Sequence, residues 1–179
     1  VSIKYDIKRN EKLNFKYNVK VRFPSVTKLI VNNTLTNFNS VFRGDPNLEN
    51  DLYYEMRLHY YKFSYSQGLN YNLTTSYRKT VDGIRNNNII EGINFIIQPT
   101  LTRNSDENFS LSGNFSKKFS FLKVSLNGSY NFSKYLQFLN NSLQTNFSNS
   151  YSFGTGIKTD FSKFPNIDIF YKKDYNNYD

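Results

Sequence analysis

The chain has 179 residues, room for one domain or part of a larger one, and contains no Ala, Trp or Cys, one Met, 15 Tyr and 17 Phe. Its formal net charge is +9 and its mean hydropathy is −0.63. Lack of Ala removes the best helix former while aromatic richness favours strands; lack of Cys excludes a disulfide framework, zinc–thiolate sites and thiol nucleophiles; and no apolar run approaches the roughly 20 residues of a membrane-crossing helix.

In chain order, residues 1–7 carry apolar side chains at every second position and predict a strand, followed by a polar turn at Lys8-Arg9-Asn10-Glu11. No signal peptide opens the sequence, and both ends read as cut from a longer protein. Residues 13–23 alternate without a break: Leu13, Phe15, Tyr17, Val19, Val21 and Phe23 fall on one face, Asn14, Lys16, Asn18, Lys20 and Arg22 on the other. Soluble strands run to about 5–6 residues, whereas a tilted membrane-crossing strand needs about 9–11. Pro24 ends this strand. Residues 24–50 predict a long connection without secondary structure, a length that is often functional.

Residues 52–61 alternate again, Ser66-Gln67-Gly68 turns the chain, and residues 69–77 alternate. Residues 80–88, with Asp82-Gly83 and three successive Asn, predict a loop; residues 89–102 predict a less regular strand interrupted by Pro99. A turn at Asn104-Ser105-Asp106-Glu107 precedes a strand over 109–115, and Lys117-Lys118 begins a short connection. Strands over 122–132 and about 143–157 follow, with a last one at 167–171 after Phe164-Pro165. The count is about nine strands, no convincing helix, and hairpin-by-hairpin succession: an all-β, antiparallel up-and-down meander.

Two architectures use such a meander. In a membrane barrel one face of each strand meets lipid and the other a wet lumen, loops are short at one rim and long at the other, and aromatics near strand ends form girdles. In a soluble sandwich the same aromatics fill a core. Strand length favours the barrel. The basic residues are dispersed over strand faces and turns rather than clustered, which argues against nucleic acid as a partner. Asn, Lys, Ile, Phe and Tyr are residues of AT-rich codons, so sequons such as Asn72-Leu73-Thr74 carry no glycosylation argument.

A more specific pattern spans residues 23–58. Phe23-Pro24-Ser25-Val26-Thr27-Lys28-Leu29 leads to Arg43-Gly44-Asp45-Pro46-Asn47-Leu48 and then to the aromatic strand Tyr53-Tyr54-Glu55-Met56-Arg57-Leu58. This resembles the late barrel of TonB-dependent outer-membrane receptors, in particular the Bacteroidota-type outer-membrane β-barrel family, where a strand ends in an aromatic or basic residue plus Pro and a Gly-Asn-Pro-x-Leu element precedes a descending strand. Asp45 stands for the usual Asn, and Glu49-Asn50 where Lys-Pro-Glu is common; both suit turns. Residues 108–157 carry the same rhythm. The resemblance implies a barrel of about 22 strands, of which residues 1–179 would be a single segment, with the plug and remaining strands outside this sequence. It also implies location in the outer membrane among lipid and lipopolysaccharide, import of a scarce solute, a TonB–ExbB–ExbD system and a surface lipoprotein as partners, and no cofactor. A non-transport outer-membrane barrel, serving as scaffold or secretion-complex subunit, and a soluble β-sandwich adhesin stand as alternatives.

The sequence offers little for catalysis, and no enzymatic activity is expected. His59 is the sole His, so neither a His metal cluster nor a triad is available. Asp106-Glu107 lacks Ca²⁺-loop spacing, and Gly154-x-Gly156 lies inside a strand pattern with no helix after it. The candidate recognition residues are Asn37, Phe38, Asn39, Phe42 and Arg43 in the long connection, beside Asn32 and Asn33: amides with exposed aromatics suit sugars or chelates. An ordinary rim loop folded for closure is the other reading of the same residues. Arg43-Gly44-Asp45, an integrin-type tripeptide, is read as coincidence.

Overall fold

Each alternating segment becomes a strand of one sheet in the computed structural model, which describes residues 1–178. In chain order the elements are β1 (Ser2–Lys8), β2 (Glu11–Arg22), α1 (Val26–Leu29), β3 (Asn33–Asn37), β4 (Ser40–Arg43), β5 (Asp51–Ser64), β6 (Leu69–Glu91), β7 (Asn94–Thr102), β8 (Asp106–Phe119), β9 (Leu122–Leu139), β10 (Ser142–Thr159) and β11 (Asp168–Tyr178). Eight of them form an unbroken path, β1-β2-β5-β6-β8-β9-β10-β11, in which every neighbouring pair is antiparallel. The meander is therefore as the alternation predicts. Among the described residues this path does not close on itself: β1 and β11 are its two ends.

The chain returns by tight turns at one end of this path. Ser120 and Gly68 take positive φ there, and the turns brace one another: Phe63 N–H donates to Asn10 O at 2.9 Å, Lys118 N–H to Gly68 O at 2.8 Å, Asp160 N–H to Phe121 O at 2.7 Å. The opposite end carries the long excursions. The 24–50 connection is not structureless, because it folds into α1 and the β3–β4 hairpin. Residues 80–88 are strand rather than loop: β6 runs past the sheet and pairs with β7 through Gly83↔Thr102 to Glu91↔Asn94. The turn falls at Gly92 (φ 64°), so residues 89–102 are not one strand. Pro99 does not interrupt β7. It faces Asn86 on one side and lies beyond the β4 ladder, which ends at Ile97, so its missing N–H breaks no bond there. β8 continues through Lys117-Lys118 to Phe119, and the last strand is Asp168–Tyr178. Among the described residues eleven strands stand where the alternation predicts about nine.

Burial shows where the protein packs against itself. Leu48, Ile84 and Leu136 are the buried hydrophobics, joined by Asp51, Asn87, Thr102 and Pro99, all at the long-excursion end. The apolar sheet face has no second layer: Val19, Val21, Met56, Leu126, Tyr151, Phe153 and Ile157 stay exposed. That overturns the sandwich reading, which needs a second sheet over those rows.

Candidate functional site

Register converts alternation into two continuous surfaces. One row across all eight path strands reads Ile3, Phe15, Leu58, Thr75, Leu111, Tyr130, Tyr151, Tyr175. The adjacent row, pointing the other way, reads Ser2, Lys16, Arg57, Ser76, Ser110, Asn131, Ser150, Asn176. A one-residue slip in a strand would turn its polar side chains into the apolar face, so the pattern itself pins the register. Hydrogen bonds run laterally along the polar face: Ser76 Oγ to Ser110 Oγ at 2.7 Å, Asn114 Nδ2 to Asn72 Oδ1 at 3.1 Å, Ser133 Oγ to Asn108 Oδ1 at 2.9 Å.

The apolar face has charged margins. Lys79, Glu107 and Lys134 form one row at the long-excursion side, with Lys79 Nζ 3.6 Å from Glu107 and Tyr77 Oη donating to it at 3.0 Å. Lys62 and Lys117 mark the short-turn side. Between Glu107 and Lys117 the face shows only Phe109, Leu111, Gly113 and Phe115. Ten residues at ~3.4 Å each, tilted by about 35–45°, span about 24–28 Å along a membrane normal, matching an apolar band of about 25 Å. The outward polar positions step toward the short-turn side from Lys134 on β9 to Asn149 on β10 and Lys173 on β11, the slant that tilted strands produce.

Charge networks hold the long-excursion rim. Glu55 accepts from Lys20 and Arg78 at 3.1 Å each, and both cations lie over the Tyr53 ring, at 5.9 and 5.2 Å. Asp51, 2% exposed, pairs with Arg22 and accepts from Ile84 N–H at 2.6 Å, while Arg85 pairs with Asp106. A buried carboxylate needs this number of donors. Above this, the excursions are knitted together. Asn87 and Asn141 exchange two hydrogen bonds, at 2.6 and 3.2 Å, and Ile90 N–H donates to Asn140 Oδ1 at 2.8 Å. β4 pairs in parallel with β7, and Asn39 bridges them, its O accepting from Phe95 N–H at 2.8 Å and its Nδ2 donating to Ile93 O at 3.0 Å.

The five candidate recognition residues fall on this one hairpin and its turn, but most serve it. Asn39 is the bridge just described; Arg43 Nε donates to Asn33 Oδ1 at 3.0 Å; Asn37 Oδ1 accepts from Phe38 N–H at 2.9 Å; Phe42 is half-buried and registers with Ile97. Phe38 presents itself fully, 84% exposed, as does Ile93, at 77%, on the hairpin turn that Asn39 bonds. Ile93 escapes sequence reading because it lies inside a segment read as one strand. Arg43-Gly44-Asp45 is a structural knot: a Cβ on Gly44 would lie 2.6 Å from Lys28 O, Asp45 N–H donates to Lys28 O at 2.7 Å, and Asp45 Oδ1 accepts from Asn47 N–H at 2.9 Å. His59 Nδ1 lies 2.9 Å from Thr74 Oγ1. No group of three metal-ligating side chains occurs among the described residues.

A single-layer sheet with one apolar and one polar face, margins set at bilayer spacing and loops unequal at its two rims defines the wall of a membrane β-barrel. Residues 1–178 match the outer membrane protein beta-barrel family, and the chain belongs to that family. Comparison with curated proteins and with solved structures found no match. The protein resides in the outer membrane: its apolar face meets lipid and its polar face lines the lumen.

Proposed function

We propose that this chain is one sector of the wall of a TonB-dependent receptor that imports a scarce solute, with wall and recognition roles and no catalysis. The observation that carries the reading is the open, two-faced sheet. β1 and β11 each pair on one side only among the described residues. In hydrocarbon such edges leave backbone groups unsatisfied, so further strands complete the barrel. Eight crossing strands are about a third of the 22 the family resemblance implies. The long-excursion rim then faces outward, as long loops do in outer-membrane barrels, and the tight turns face the periplasm. Phe38 and Ile93 would be the outermost apolar points of this rim and the first to meet a solute or a surface lipoprotein.

Uptake by the full-length protein tests the proposal. Accumulation of its solute should cease when TonB is deleted or the proton gradient collapsed, and the full-length protein should retain a periplasmic TonB fragment on a column. Uptake that ignores TonB, with no retention, would overturn the receptor assignment and favour a scaffold barrel. Rim orientation has its own readout: Phe38→Cys should react with a membrane-impermeant maleimide on intact cells, whereas Phe121→Cys should not.

A further inference from the structure

The polar face is partitioned by charge. On β8, β9 and β10, each polar-face position at 108–116, 125–133 and 148–156 is Ser, Asn or Gly. The same face of β1, β2 and β5 is cationic. There a concavity of about 480 Å³ is lined by Lys4, Lys12, Lys16, Arg57 and His59, with Asp6 as the one acid. Strand register concentrates these groups: Lys16 faces Arg57, and Asn14, between Lys12 and Lys16 along β2, faces Lys4 on one side and His59 on the other.

Neutralisation of this cluster is incomplete. Asp6 lies 3.5 Å from Lys12 and accounts for one cation. Lys4 and Lys16 have no carboxylate within ion-pair distance among the described residues. Arg57 reaches Glu55 only at 3.5 Å, and that carboxylate is already shared by Lys20 and Arg78 at 3.1 Å. Two ammonium groups without a carboxylate, and a guanidinium that shares one with two other cations, thus crowd one hollow with mutual repulsion only partly relieved. His59 is tethered through Nδ1 to Thr74, which fixes its ring and leaves Nε2 for a ligand. The hollow's volume falls in the range of small-molecule sites, about 300–1,000 Å³, too small for a folded partner, and a guanidinium beside two ammonium groups suits clustered oxyanions.

We infer that this hollow binds a small multivalent oxyanion, a solute bearing phosphate or several carboxylate groups. The inference rests on the polar face being the lumen wall and deepens the transport reading by naming a solute class. Titration calorimetry of the full-length protein in detergent with tripolyphosphate, at low and at high salt, tests it. Saturable binding is expected, weakening as salt rises, and at least tenfold weaker in Lys4→Gln/Lys16→Gln/Arg57→Gln. Arg57→Lys should retain most of the affinity, and Lys123→Gln/Lys158→Gln, polar-face lysines away from the hollow, should leave it unchanged. Heat-modifiable gel mobility reports folding; if the triple variant does not fold, each single substitution should still weaken binding. No saturable binding by the parent, full affinity in the hollow variants, or equal loss in the Lys123/Lys158 variant would overturn the inference. Binding that persists where uptake proves independent of TonB would sink the receptor assignment and leave the anion site standing.

Discussion

Single residues at the rim do more structural work than their polarity suggests. Gly44 is the clearest case. Its neighbours are backbone atoms, Lys28 O at 2.6 Å and Ile30 N at 2.9 Å from a built Cβ, with Ile30 O closer still. Backbone cannot swing aside as a side chain can. Gly44→Ala should therefore cost about 1–3 kcal/mol, the usual toll of overpacking, and should loosen α1 and the β3–β4 hairpin rather than the wall. Proteinase digestion of intact cells would show it as faster cleavage within residues 24–50, with the barrel band unchanged; Phe38→Ala, at an exposed tip, should leave cleavage as in the parent. The sequence signals the knot through Gly-Asp-Pro, but not its partners. Lys28, in the upstream segment of the same pattern, and Ile30 just beyond it lie well before Gly44 in the chain, and nothing local marks them as its neighbours.

Strands differ in how plainly the sequence announces them. β2 and β5 alternate over most of their lengths, across 13–21 and 52–60, because each has one face in lipid and one in water. β6 alternates only to Tyr77, where both faces cease to meet different solvents. Beyond that point Asp82-Gly83 and Asn86-Asn87-Asn88 look like turn chemistry, yet β7 satisfies their backbone on one side and the Asn140-Asn141 turn engages Asn87 and Asn88 on the other. Tertiary partners, absent from any local window, override the local preference. The glycines of β10 are the reverse case, where a strand residue does answer to a neighbour. Phe170 lies across Gly154 and Gly156, and a Cβ on Gly156 would meet Ser125 Oγ at 2.6 Å and Phe170 Cδ2 at 3.2 Å. An aromatic ring covers the backbone that the missing side chains leave bare. Gly156→Val should cost about 1–3 kcal/mol, and adding Phe170→Ala should cost less in that background than in the parent. Urea unfolding of the four proteins would yield the coupling; strict additivity would mean that the ring and the glycine do not share the site.

At the scale of the whole molecule, one physical arrangement organises everything else: the apolar rows stand against hydrocarbon and the Ser, Asn and Lys rows against water. The sequence carries this in its two-residue period, and strand length tells the bilayer from a protein core. What the sequence leaves open is which polar-face residues become neighbours, since that depends on register accumulated over eight strands. The arrangement has a sharp consequence for adjacent residues. Leu111 and Ser112 follow one another on β8, Leu111 near the middle of the apolar band between Glu107 and Lys117, Ser112 pointing into the lumen beside Thr74 and Ser129. Arginine at a lipid-facing position near the midplane costs about 2–4 kcal/mol in outer-membrane barrels, whereas lumen positions tolerate charge. Leu111→Arg should thus lower the stability of the full-length protein in lipid vesicles by that amount, read from urea-dependent folding. Ser112→Arg should change it by well under half as much, because its guanidinium stays hydrated among small neutral side chains. Equal losses from the two substitutions would mean that the two faces do not meet different solvents. The lumen assignment, the rim orientation and the anion site would then fail together, since each depends on lipid lying on one side of this sheet and water on the other.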